Sequence, residues 1–114
     1  MNKLGLLRKE IDIIDKKIVY CLIRKKSVKE LVEQRIKIGL KIAKVKLAED
    51  NSLRNLNKQK IITKIRNKKR ENEIMRNVCF LAMKNGLDNN KVERLFKKII
   101  LKTIEAEVEF ILSK

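Results

Sequence analysis

The chain has no histidine, no proline and no tryptophan; it has three glycines and two cysteines, and aromatics make up 4% of its 114 residues. Each shortage excludes something. Without His there is no histidine base, no histidine metal ligand and no Ser-His triad. Without Pro, and with so little Gly, an all-β sandwich or barrel lacks the turn residues it needs every few positions. Cys21 and Cys79 stand alone in apolar surroundings. Two thiols do not make a structural zinc site, and they read as buried free thiols. No run approaches the roughly 18 uncharged apolar residues of a membrane span, so no membrane association is expected. The lack of disulfide density and of a signal peptide points to a cytoplasmic protein.

What the chain does have is charge and aliphatic mass. Lys and Arg number 30 against 14 Asp and Glu, a formal net charge of +16, and 44% of residues are hydrophobic. That apolar share is too high for a disordered basic tail, and the length allows one domain, residues 1–114. A +16 surface attracts polyanions, so one reading is a basic helical nucleic-acid-binding protein. Single-strand binders offer stacking aromatics, however, and this chain has one Tyr and three Phe. No recognition helix with base-reading residues stands out either. Nucleic acid is therefore expected to bind only non-specifically, at low salt.

Periodicity predicts helix almost everywhere. Leu4, Leu7, Ile11, Ile14, Ile18 and Cys21 follow a 3-4-3-4-3 spacing, and the register continues through Val28, Val32, Gly39 and Ile42. A first helix over about 3–48 follows. Ser27-Val28-Lys29-Glu30 has the Ser-x-x-Glu form of a helix-starting capping box, so a break near 25–27 is the alternative. A continuous helix favours a paired dimer. A break lets the helix fold back and sets Arg8 beside its own Arg35. Residues 49–66 read as a turn and then a short helix or extended return. A second helix over about 67–85 has Asn67 as N-cap and stops at Asn85-Gly86; a third, capped by Asp88, runs to about 112.

Four polar side chains interrupt these apolar faces. Arg35 and Lys46, three turns apart, fall on the first stripe; Thr103 and Glu107, one turn apart, fall on the third-helix stripe. A buried charge without a partner costs several kcal/mol. The arrangement reads either as a structural ion-pair network or as an anion pocket inside a helical bundle.

Several segments resemble one family. Leu7-Arg8-Lys9-Glu10-Ile11-Asp12-Ile13-Ile14-Asp15 is similar to the "LR-x-x-I-D-x-I-D" opening of the all-helical (AroQ-class) chorismate mutases. Leu31-Val32-Glu33-Gln34-Arg35, followed by Lys46, is similar to that family's "L-x-x-x-R … K" segment, and Ile65-Arg66-Asn67-Lys68-Lys69-Arg70-Glu71 to its "I-x-D-x-x-R-E" motif. Asn85-Gly86-Leu87-Asp88 and the run Leu95-Phe96, Ile99-Ile100 and Thr103 resemble its third helix. The departures are an Arg8–Arg35 separation about ten residues longer, equal to about 15 Å of helix, a longer stretch between Lys46 and Ile65, Asn67 for Asp, Thr103 for Ser and Glu107 for Gln.

The resemblance implies an all-α fold of three helices, with a long first helix, forming an intertwined helical-bundle homodimer. It implies the Claisen rearrangement of chorismate to prephenate in aromatic amino-acid biosynthesis. That reaction is pericyclic and unimolecular, so it calls for no cofactor and no metal. The implied roles follow from holding a dicarboxylate in a chair-like conformer and stabilising its breaking ether oxygen. Arg35 would bind one carboxylate, and Arg8, donated by the partner subunit, the other. Lys46 would donate to the ether oxygen and a carboxylate. Glu107, when protonated, would also donate to the ether oxygen. Glu71 would accept from the ring hydroxyl with Asn67 nearby, Arg70 would organise the pocket, and Thr103 would touch a carboxylate.

Overall fold

The computed structural model describes residues 2–114. Five α-helices and one 3-10 turn account for the described residues: α1 Lys3–Ile23, α2 Lys29–Glu49, the 3-10 turn Asn51–Asn55, α3 Lys58–Ile65, α4 Lys68–Lys84 and α5 Asn89–Leu112. The all-helical expectation holds. The count of three does not, and the correction has two sources.

The first is a break in the long helix. α1 ends at Ile23 and α2 begins at Lys29. Lys25 sits in the left-handed region at φ 56°. Its N–H donates to Leu22 O (3.2 Å), and the Lys26 N–H donates to Cys21 O (2.8 Å). These two bonds form a Schellman stop, which satisfies carbonyls that the helix end would otherwise leave bare. The Ser27 hydroxyl accepts from the Lys29 N–H at 3.3 Å, so it does help to start α2, although Val28 occupies the cap position. The stop turns one helix into an antiparallel hairpin.

The second source is the stretch between Lys46 and Asn67. Asp50 caps the 3-10 turn by accepting from the Ser52 N–H, and Asn57 caps α3 by accepting from the Lys60 N–H. The later helices follow expectation. Asn67 Oδ1 accepts from the Arg70 N–H at 3.0 Å and starts α4. Gly86 (φ 74°) ends it in a second Schellman stop, with the Leu87 N–H donating to Ala82 O at 2.9 Å. Asp88 Oδ1 accepts from the Asn90 and Lys91 N–H groups and starts α5.

Two apolar clusters hold these pieces together. The larger joins α1, α2, α4 and α5 through Ile11, Ile14, Ile18, Ile74, Val78, Phe96 and Ile99 among others. Each such side chain contributes about 1.5–3 kcal/mol by leaving water. The smaller joins the far ends of α2 and α5 to the 3-10 turn and α3, through Ala43, Leu47, Leu53, Ile61, Ile65, Val108 and Ile111. Residues 51–65 are thus a packed cap on that end of the bundle. On α5, Val108 and Ile111 are buried more deeply than Phe110, on the side packed in the smaller cluster with α3. The two cysteines are free and half-buried. No helix of the described residues is long and apolar enough to cross a membrane.

Candidate active site

A cleft opens where the two clusters meet, with about 550 Å³ of empty space open on one side. Its apolar wall is made of six isoleucines: Ile11, Ile42, Ile65, Ile74, Ile100 and Ile104. Five cations line it (Arg8, Arg35, Lys46, Arg66 and Arg70) against two carboxyls, Glu71 and Glu107. Asn67 and Thr103 complete the lining. All eight residues singled out in the sequence therefore reach one cleft, and one chain supplies them all.

Within this chain the fold-back alternative is the arrangement seen. The hairpin lays α1 back along α2, so Arg8 faces the cleft that holds its own Arg35. Its side chain makes no hydrogen bond among the described residues. Arg70 braces this arrangement: it donates to the carbonyl oxygen of Arg8 (3.0 Å) and to Asp12 Oδ1 (2.7 Å), tying the start of α4 to α1.

Arg35 lies at the bottom and is buried. Nε donates to Asp15 Oδ1 at 2.7 Å, NH2 to Asp15 Oδ2 at 3.3 Å, and NH1 to Thr103 Oγ1 at 2.8 Å. The Thr103 hydroxyl in turn donates to Ile99 O at 2.9 Å. Burial pushes the Asp15 carboxyl above its usual range, and Arg35 pulls it back. The close approach of α2 and α5 here depends on Gly39. A Cβ on Gly39 would stand 2.6 Å from Thr103 Cγ2.

Lys46 is half-buried at the far side, and its Nζ donates to Ile65 O at 2.7 Å. Burial holds its ammonium below the usual lysine range; Glu107 counters this and Arg8 adds to it. Glu107 is buried, and its Oε1 has no hydrogen-bond partner among the described residues. Burial pushes its pKa up to about 7, against the opposing pull of Lys46, Arg35 and Arg8. Its carboxyl thus titrates near neutrality, with one buried oxygen left without a hydrogen-bond partner among the described residues.

At the mouth, Glu71 accepts two-pronged bonds from Arg66 (Nε–Oε2 and NH2–Oε1 both 2.9 Å). Asn67 is exposed on the rim, where it also caps α4.

Three residues of this network had no assigned part in the sequence: Asp15, Asp12 and Arg66. Asp15 left a signal. It follows Ile14 on the buried face of α1, and a carboxyl there needs a cation opposite it. Arg66 left none, since a lone Arg after a short helix looks like any surface charge.

The arrangement can bind a small dianion and offer hydrogen-bond donors to a third oxygen between the carboxylates, in a pocket walled by aliphatic groups. A family model described as chorismate mutase type II matches residues 7–108. No curated protein and no solved structure matches the chain. The matched stretch begins one residue before Arg8 and ends one after Glu107, so it encloses the whole cleft, and the chain belongs to the chorismate mutase type II family.

Proposed function

We propose that this chain converts chorismate to prephenate in a site built wholly within one subunit. The observation that supports it is the convergence of Arg8, Arg35, Lys46 and Glu107 on one cleft of one chain. The rearrangement breaks the ether C–O bond and forms a C–C bond within one molecule. No proton is lost or gained, so the protein's work is to hold a compact conformer and to stabilise charge on the departing oxygen.

Arg35 takes one carboxylate through its fork and Arg8 takes the other. Lys46 and the protonated Glu107 donate to the ether oxygen. Negative charge grows there only in the transition state, so these donors lower the barrier rather than merely tighten binding. Glu71, held by Arg66, accepts from the ring hydroxyl with Asn67 beside it. Arg70 acts through α1, keeping Arg8 at the cleft. The isoleucine wall excludes water and favours the folded substrate over the extended one.

A homodimer with Arg8 given in trans is not needed to complete this site, because the hairpin supplies Arg8 in cis. The test is loss of chorismate absorbance with purified protein, set beside the Arg35→Lys variant. Lysine keeps the charge that Asp15 neutralises and removes the fork, so kcat/KM should fall by about 2–3 kcal/mol of transition-state stabilisation with helical circular dichroism unchanged. An inactive wild type, or a fully active Arg35→Lys variant, overturns the reading.

A further inference from the structure

Arg35 carries five N–H donors on a planar guanidinium. Three are already engaged within the protein. The Nε–H and one NH2 hydrogen, which share one edge of the plane, both go to Asp15 (2.7 and 3.3 Å). One NH1 hydrogen goes to Thr103 Oγ1 (2.8 Å). What is left is one N–H on each terminal nitrogen, two charged donors for a substrate carboxylate.

Thr103 has a single O–H donor. That donor is spent on Ile99 O at 2.9 Å, so the hydroxyl offers Arg35 a lone pair and has no hydrogen left for a substrate carboxylate. Asp15 and Arg35 are both almost fully buried, so neither side chain has solvent as an alternative partner. They come from different helices, α1 and α2, with Thr103 from α5.

We infer that Asp15 and Thr103 are positioning residues for substrate binding, which hold the Arg35 guanidinium between α1 and α5 so that its two remaining N–H groups serve the cleft. Asp15 touches no substrate in this scheme; it acts through Arg35. Thr103 acts the same way, not as a direct carboxylate ligand. A guanidinium freed from Asp15 turns about its own side-chain bonds and presents a single N–H in place of two. The inference rests on the chorismate mutase reading above.

The measurement is steady-state kinetics of Asp15→Asn with chorismate, alongside the wild type. The substrate carboxylate carries its charge in the ground state and the transition state alike, so losing a clamp on it weakens both about equally. KM should therefore rise by about tenfold or more while kcat stays within about threefold. A purely structural role gives the opposite split: fewer folded molecules lower the apparent kcat and leave KM where it was. If Asp15→Asn does not fold, Thr103→Val decides, because it keeps the side chain's shape and removes only the oxygen. Its KM should rise by about threefold or more. An unchanged KM in the folded variant overturns the inference. A wild type that does not turn over chorismate overturns the reading it rests on instead, so the two failures are separable.

Discussion

In the proposed site, Glu107 is the residue whose protonation would decide the chemistry. Its pKa is pushed from an ordinary 4.5 to about 7, chiefly by burial. In the proposed mechanism an ionised carboxylate there would repel charge growing on the ether oxygen, so the protonated form would be the active one. kcat/KM should be flat at acid pH and fall as pH rises through about 7, the free enzyme's value. Glu107→Gln supplies a permanent N–H donor and should flatten the profile up to pH ~8. A wild type flat across that range, or a Gln variant dead throughout, denies Glu107 this role. The same shift bears on stability. The folded pKa lies above the unfolded one, so the contribution is fully present below pH 4.5 and lost as pH climbs through about 7. The loss is about 3 kcal/mol at most, and Glu107→Gln should melt higher than wild type at pH ~8. Gly39 is the other sensitive residue. Thr103 is held by two hydrogen bonds and cannot swing away from a new methyl 2.6 Å distant. Gly39→Ala should push α5 outward, costing about 1–3 kcal/mol of stability and most of the activity. A Gly39→Ala protein with wild-type melting and turnover shows that α2 and α5 have slack there.

At the scale of elements, the α1–α2 stop is what separates this chain from the expected long helix. Its two helix stops share one hydrogen-bond pattern but differ in residue. Gly86 takes its positive φ freely, whereas Lys25 takes φ 56° with a Cβ crowding the following carbonyl. Lys25→Gly should relieve that crowding and stabilise the protein by about 0.5–1 kcal/mol after the greater flexibility of Gly in the unfolded chain is counted. Lys25→Val, β-branched, should destabilise it by about 1 kcal/mol. Thermal melts of the pair check both signs, and a lower melting temperature for the Gly variant contradicts the account. α3 matters for a different reason. It brings Ile65 O to Lys46 Nζ and sets Arg66 against Glu71, so the longer connection contributes directly to the cleft.

For the whole molecule, the decisive feature is that the cleft closes within one chain. α1 and α2 are arms of one hairpin, α4 is braced to α1 by Arg70, and α5 lies against α2 through Arg35 and Thr103. Specific activity per chain should then be independent of protein concentration down to the nanomolar range. Light scattering coupled to activity should find turnover at the single-chain mass of 13.4 kDa. Activity that disappears on dilution, as subunits part, refutes a site complete in one chain.

Much of the helical frame was legible in the sequence because its causes are local. Asn67 and Asp88 cap helices since a short side chain with an oxygen can reach the next turn's N–H groups. The Asn85-Gly86 stop needs only a residue that tolerates positive φ. The four polar residues on apolar faces could be read as interior from spacing alone; Arg35, Thr103 and Glu107 are buried and Lys46 is half-buried. The break at Lys25 was not decided by pattern. From Cys21 through Lys25 to Val28 and Val32 the heptad register runs on unbroken, since both arms of the hairpin turn their apolar faces to one core. Hydrophobic spacing reports which face is inward, not whether the axis has reversed. Only the packing of α1 against α2 put Arg8 in its own chain's cleft. Only that same packing set Asp15 against Arg35, because a buried ion pair forms between residues far apart in sequence and depends on which helices meet.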